Sequence, residues 1–426
     1  MRCKFPTFSA VAVSALVVFA QGLLQAQQAL TWDQVKARFQ TANPTLHADA
    51  LSVDEMKAQE ITAYLRPNPQ FTAATDGTQI APDHGHWQPL AGTQYQGNVS
   101  YLHERDHKRE LRLESAKEGT QISASQHEDL KRTLLFTLRS AFVQTLQAKS
   151  TLATAKEDLA YYDHIIQISR DRFNAGDIAQ IDLDRIELLR VQYESEIQSA
   201  LVNLRTAKIQ LLQLLNDRTP VEQFDLDGPF DFSEDLKPLE DFRQIALDSR
   251  PDLRAAVQSL KQADTNHKLA EANGSTDPTF AGWYTWNPSF NNPYDQQTLG
   301  LSMSIPLRIF DHNQGEKQRT QIDIGRSQQL TDASRAQVFS DVDSAYAQVE
   351  SNIALLKPYK AKYIDQAKRV RDTVTYSYQH GGASLMDFLN AQSDYRTVQL
   401  AYLQLLGTYL TAAGQLNLAV GREVIQ

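Results

Sequence analysis

The chain has 426 residues, a net charge of -9 and a single cysteine, Cys3. No run of Lys or Arg breaks the acidic balance, which excludes a nucleic-acid surface, and one cysteine permits neither a disulfide framework nor a cysteine metal cage. With 18 Gly and 15 Pro, and long stretches containing neither, the chain reads as few elements of great length rather than as several globular domains.

The first segment carries Arg2 and Lys4, an apolar run from Phe8 to Ala20, and small or polar residues near Gln25 and Ala26. This pattern predicts a secretory signal peptide over residues 1–26. Its apolar core is too short to cross a bilayer as a helix, and no later segment offers about 18 uncharged apolar residues in a row. Cys3 lies ahead of the apolar run and would leave with the leader, so no lipid anchor is expected.

A duplication organises the remainder. A shift of 205 positions aligns Phe173–Asn216 with Tyr378–Gly421 without a gap, placing Gly176 on Gly381, Asp182 on Asp387 and Gln210 on Gln415. Shifts of 204 and 207 align Ser140-Ala141-Phe142 with Ser344-Ala345-Tyr346, and Asn43-Pro44 with Arg250-Pro251. Such self-similarity fixes architecture before any local element is assigned. It divides the mature chain into a first repeat over 27–216, a linker over 217–238 and a second repeat over 239–426.

Each repeat is expected to run in the same order. A helix comes first, Thr31–Leu65 or Leu239–Asn273, with an internal X-Pro that bends or restarts it. Two short strands follow, Phe71–Thr78 with Gln96–His103, then Thr279–Trp286 with Thr298–Leu307. In the last of these, Leu299, Leu301, Met303 and Ile305 alternate with Gly300, Ser302 and Ser304, the period-two pattern of a strand with two unlike faces. A long helix comes next. Lys108–Phe173 contains no proline and would approach 100 Å at about 1.5 Å per residue. Its apolar positions, among them Leu134, Leu138, Phe142, Leu159, Tyr162 and Ile166, recur at threes and fours as a packing stripe. The matching Glu316–Tyr378 contains Pro358, so a kink near Leu356 is expected. A glycine turn, Asn174-Ala175-Gly176-Asp177 or His380-Gly381-Gly382, then reverses the chain into a last striped helix, where the reversal asks for a left-handed residue.

Four strands cannot close a barrel, and open strand edges are not tolerated in lipid. Closure must come from sister copies, and three chains supply twelve strands, within the range of outer-membrane barrels. Trp283, Tyr284 and Trp286 fall at one end of the third strand, as in an interfacial aromatic belt.

These features resemble the TolC-type outer-membrane efflux proteins, from Leu30 to about Arg422. Arg172-Phe173-Asn174-Ala175-Gly176-Asp177 with Ile181-Asp182-Leu183 is similar to that family's periplasmic tip, and Tyr378-Gln379-His380-Gly381-Gly382 with Met386-Asp387-Phe388 is its second copy. Ile305-Pro306-Leu307 with Phe310-Asp311-His312-Asn313-Gln314-Gly315 resembles the strand-to-helix junction of the branch serving heavy-metal pumps of the resistance-nodulation-division type, the CzcC and CusC branch, whose members are often lipoproteins. The resemblance implies a mainly α fold with a small β part: a homotrimer with a twelve-stranded barrel in the outer membrane continued by a twelve-helix periplasmic tunnel. It also implies a periplasmic adaptor at the tip and, indirectly, an inner-membrane pump.

The resemblance further implies a pore gate at Asp387, which threefold symmetry would repeat as a ring, with Asp182 as a second candidate. The carboxylate expected three residues on is replaced by Asn390. Capping of the returning helices is the competing role for both aspartates. Ala175, Gly176, Asp177, Gly381 and Gly382 form a small-residue tip suited to adaptor docking, and Pro306, Asp311, Asn313, Gln314 and Gly315 mark the junction. His84-Gly85-His86 reads as a polar loop and His103 with His107 as part of a charge cluster, so neither metal nor cofactor is expected. No phosphate loop or nucleophile elbow suggests an enzyme. The expected function is a passive exit duct for metal cations or drugs; the alternatives are the duct of a type I protein secretion system and, in another class, a periplasmic coiled-coil adaptor or scaffold.

Overall fold

The computed structural model describes residues 29–288 and 296–425; the leader expected over 1–26 lies outside them. The prolines act first. Proline lacks an N–H and forces the residue before it out of the helical region, so Asn43 and Arg250 are extended, with ψ of 117° and 122°. Each opening helix is therefore two: α1 (Trp32–Ala42) with α2 (Pro44–Tyr64), and, in the second repeat, α5 (Leu239–Ser249) with α6 (Pro251–Ala272). Asn43 turns the break to use. Its Oδ1 accepts from the Leu46 N–H at 3.0 Å, and its Nδ2 donates to the Leu214 carbonyl at 2.9 Å.

The long helix α3 (Lys108–Asn174) runs 67 residues unbroken and α4 (Gln180–Leu214) returns over 35. Their counterparts are α7 (Gln314–Pro358), α8 (Ile364–Gln379) and the 36-residue α9 (Leu385–Val420). The kink expected near Leu356 lies slightly later: α7 holds through Pro358, and a π turn over Tyr359–Tyr363 separates it from α8. Widening that turn absorbs the missing N–H and the bulk of the ring.

The strands are β1 (Gln70–Asp76), β2 (Gln94–Leu102), β3 (Thr279–Trp286) and β4 (Gln297–Ser304). β3 matches its expected range; the others begin or end one to three residues earlier. They form one antiparallel sheet in the order β1-β2-β3-β4, so the strand pairs of the two repeats join between β2 and β3. Among the described residues β1 pairs only with β2 and β4 only with β3, leaving one edge of each free.

The chain divides into two compact units that cut across the repeats. One takes Leu130–Ser249 and Phe339–Gln426 with the stretch ending at His47; the other takes Ala48–Asp129 and Arg250–Val338, including the sheet. The first unit holds two apolar cores. Val35, Phe39, Leu138, Phe142, Leu211 and Leu226 form one, with residues of the inter-repeat linker inside it. The linker is pinned there by Lys149, whose ammonium donates to Asp225 Oδ2 at 2.7 Å and to the Leu226 carbonyl at 2.8 Å. Tyr162, Ile165, Ile186, Tyr193, Tyr378 and Phe388 form the other core, near the helix reversals.

Candidate functional site

The sheet has two faces of opposite character, and its register fixes which residue belongs to which. Phe71 pairs with Val99, Val99 with Gly282 and Gly282 with Leu301, so all four share one face. The same parity places Tyr95, Tyr101, Phe280, Tyr284, Trp286, Leu299 and Met303 there. The opposite parity holds Gln70, Thr72, Gln96, Asn98, Ser100, Thr285, Thr298, Ser302 and Ser304. The apolar face is uncovered, with Leu299 79% and Leu301 82% exposed. Apolar side chains facing outward and polar ones opposite are the alternation of a lipid-facing barrel wall.

The aromatic trio divides along this parity. Trp286 stacks on Tyr95 at 5.6 Å between centroids and shares the apolar face with Tyr284. Trp283 is on the polar face, pairing with Gly300. A methyl group at 300 would come within 2.3 Å of its indole, so glycine is required at this close approach.

Below the sheet each repeat starts its long helix from a left-handed residue, His107 (φ 57°) or Asn313 (φ 61°). The first junction is an electrostatic clamp. The Lys108 ammonium, 3% exposed, donates to Asp277 Oδ2 at 2.6 Å and to the Ser275 carbonyl at 3.1 Å, and the Arg105 N–H donates to Asp277 Oδ1 at 3.0 Å. Burial opposes the Asp277 charge, but the bonds from Lys108 and Arg105 outweigh it and hold the carboxyl below its ordinary range. The second junction is held by hydrogen bonds from amide groups. Asp311 Oδ1 accepts from the Asn313 N–H at 2.8 Å, Asn313 Nδ2 donates to the Ala270 carbonyl at 2.7 Å, and the Gln314 side chain bonds the His312 N–H and the Phe310 carbonyl. Pro306 follows the strand, and at Gly315 a side chain would meet open space.

The reversals are Schellman turns with glycine in the left-handed region, at φ 84° for Gly176 and 78° for Gly381. Asp177 N–H reaches the Arg172 carbonyl at 2.9 Å, and Gly382 N–H reaches that of Ser377 at 2.8 Å. Ala175, Gly176, Asp177, Gly381 and Gly382 are all exposed. Arg172 ties the two turns together: its Nη1 donates to the Tyr378 carbonyl at 2.6 Å, with the guanidinium 5.1 Å over the Tyr378 ring.

Asp182 and Asp387 both fall at the third position of a returning helix, but they are held differently. Ser384 Oγ accepts from the Asp387 N–H at 3.1 Å, and Asp387 Oδ2 accepts from the Ser384 N–H at 3.2 Å and its hydroxyl at 2.7 Å, a complete capping box. Those bonds lower the Asp387 pKa. At the matched position of the first repeat stands Ala179, which has no side-chain cap to offer, and Asp182 is half-buried. Asn390 is exposed one turn beyond Asp387.

Sequence reasoning missed a charged cluster set between α3, α4, α8 and α9. Arg396 donates to both Glu196 oxygens at 2.9 and 3.0 Å and lies over Tyr193, while Arg371 lies 4.6 Å over Tyr161 and 4.0 Å over Tyr395. Asp158 shares this space. Burial pushes its carboxyl up to about 6 against the pull of Arg396 and Arg371, with Glu196 and Glu157 adding to the rise. The exposed histidine loop closes on itself through bonds between Asp83 and His86. Among the described residues no group of three or more metal-ligating side chains converges.

Residues 242–422, nearly all of the second repeat, match the family described as outer membrane efflux protein. Over those residues the chain is similar to that family. The chain is 21% identical to the cobalt-zinc-cadmium resistance protein CzcC of Cupriavidus metallidurans, over 89% of the chain and 87% of the relative. It is 22% identical to the outer membrane efflux protein BepC of Brucella suis, over 71% and 67%. Its fold is that of CusC, with a TM-score of 0.76 at 16% identity over 93% of this chain and 96% of that one. The open-state outer-membrane channel MtrE of Neisseria gonorrhoeae gives a TM-score of 0.75 at 19% identity, over 92% and 89%. The mainly α, TolC-like architecture that the resemblance implies is thus the fold of this chain, and it spans both repeats.

Proposed function

We propose that the protein is the exit-duct subunit of a tripartite efflux system, a passive channel with no catalytic step. One observation carries the reading: a four-stranded sheet with an apolar face, a polar face and a free edge on each outer strand. Lipid cannot satisfy those edges, so three copies join β4 of one chain to β1 of the next and close a twelve-stranded barrel, polar face inward. The long helices continue the duct through the periplasm, and the 217–238 linker packs against them midway.

The exposed turns at Ala175-Gly176-Asp177 and Gly381-Gly382 receive a periplasmic adaptor, which bridges to an inner-membrane pump of the resistance-nodulation-division type. A side chain at Gly176 or Gly381 would meet open space in this chain, room that a partner's tip can use. Asp387 and Asn390, repeated threefold, supply the constriction, with Asp182 beside them. One Asp387 oxygen is occupied by Ser384, leaving Oδ1 for passing cations. The cargo is metal cations or drugs. Support for metal comes from the CzcC relative, named for cobalt, zinc and cadmium resistance.

Protein extracted from outer membranes and run unheated on a denaturing gel should migrate as a trimer and collapse to monomer on boiling. It should also conduct in planar bilayers, with divalent block weakened in Asp387→Ala. A water-soluble monomer without conductance would refute the duct; unaltered divalent block would remove Asp387 from the gate and leave the duct standing.

A further inference from the structure

The apolar stripe of β4 does not end with the strand. Ser304 is the last paired residue, yet every odd position from 299 to 309 is apolar: Leu299, Leu301, Met303, Ile305, Leu307 and Ile309. The even positions from 298 to 308 are Thr, Gly, Ser, Ser, Pro and Arg, so the two-faced parity also continues. Phe310 then adds a ring. Leu307, Ile309 and Phe310 are 81%, 67% and 87% exposed, the last among the most uncovered large apolar side chains described.

Dimensions say why the stripe needs continuing. An eight-residue strand such as β4, at about 3.3 Å per residue and a tilt near 40°, covers about 20 Å of the bilayer normal, whereas the outward apolar band of a barrel is about 25 Å tall. The paired sheet falls several Å short, and the chain that leaves it toward α7 supplies apolar groups at that end. The first repeat does not do this. Its equivalent segment, His103-Glu104-Arg105-Asp106-His107, is polar and bonded to Pro278 and Asp277.

We propose that Leu307, Ile309 and Phe310 insert into phospholipid at the boundary of headgroups and acyl chains in the periplasmic leaflet of the outer membrane, anchoring the second repeat of each protomer there. The anchor rests on the barrel reading above, since it continues the lipid-facing wall. An amphipathic segment joined to a membrane-embedded face enters the interface by burying its apolar side chains among acyl chains.

The test uses cysteine variants in a Cys3→Ser background, which leaves no other thiol: Leu301→Cys, Leu307→Cys and Phe310→Cys, each labelled with bimane and reconstituted into phosphatidylcholine vesicles carrying brominated acyl chains. Circular dichroism first establishes that each labelled protein is folded, and positions so exposed tolerate the label. Emission should be lost at 301, 307 and 310, with 310 quenched more by bromines near the headgroup than by bromines deep in the chain. Loss at 301 with full emission at 307 and 310 would overturn the anchor while keeping the barrel. If aqueous iodide then quenches 307 and 310 they face water, and if it does not they are covered by protein; both results reject lipid. Full emission at 301 as well would overturn the barrel reading itself.

Discussion

The two repeats share a backbone and differ in chemistry. Their opening helices are 11 residues each, the restarted ones 21 and 22, and the returning ones 35 and 36. Both long helices begin from a left-handed residue, and both tips close with the same Schellman turn. Side chains break the symmetry. One junction is a buried ion pair and the other a set of amide hydrogen bonds that follows an apolar segment; one returning helix is capped by Ser384 and the other has Ala179 at its cap position. Duplication therefore repeats what backbone geometry decides, while side chains specialise each copy. A role assigned to one copy, such as gating at Asp387, does not pass to Asp182 by position alone.

The junctions offer the largest effect. Removing one member of a buried ion pair strands the other, so Lys108→Ala should cost on the order of 3 kcal/mol, whereas Asn313→Gly, which keeps a residue suited to φ 61° and loses a neutral hydrogen bond, should cost about 1 kcal/mol. Thermal unfolding of the detergent-extracted protein, followed by circular dichroism, compares them. Equal costs would erase the proposed difference between the junctions.

Where the repeats meet near the tip, Asp158 predicts a pH dependence. Its carboxyl is raised from 3.8 to about 6, so the folded chain holds this proton more tightly than the unfolded chain. The associated stability is fully present below the ordinary carboxyl range and is lost as pH climbs through about 6. Asp158→Asn should therefore be most stabilising, relative to the natural protein, at neutral pH, and the difference should shrink on acidification. A difference that stays constant from about pH 4 to about pH 7.5 would mean that Asp158 titrates normally.

Much of this architecture is legible in the sequence because it rests on local physics. Pro44 and Pro251 break helices wherever the chain goes, Gly176 and Gly381 answer a need for positive φ, and Leu299 to Ile305 alternate because a strand has two faces. The same parity rule, applied to Trp283, Tyr284 and Trp286, separates Trp283 from the other two; grouping them by nearness in sequence overlooks it. The Ser384 and Asp387 pair, spaced by three ahead of an apolar helix, was likewise readable as a capping box. The cluster of Asp158, Glu196, Arg371 and Arg396 is different. Its members come from four helices spread over more than half the chain, and their only sequence signal is charge set among the apolar stripes.

The smallest effect bears most directly on the comparison of the tips. Ala179 and Ser384 have nearly the same backbone, φ -78° and ψ 153° against φ -75° and ψ 160°, so a serine at 179 is placed to reach the Asp182 N–H as Ser384 reaches that of Asp387. Ser384→Ala should cost about 1 kcal/mol through the lost hydroxyl cap, and Ala179→Ser should return a similar amount. The Asp387 carboxyl should move with its cap, rising toward its ordinary value in Ser384→Ala. If the Asp387 carboxylate sets divalent block, the pH midpoint of that block rises in Ser384→Ala. Because a merely structural cap would change stability and leave this midpoint in place, the two measurements together separate a gate from a helix end.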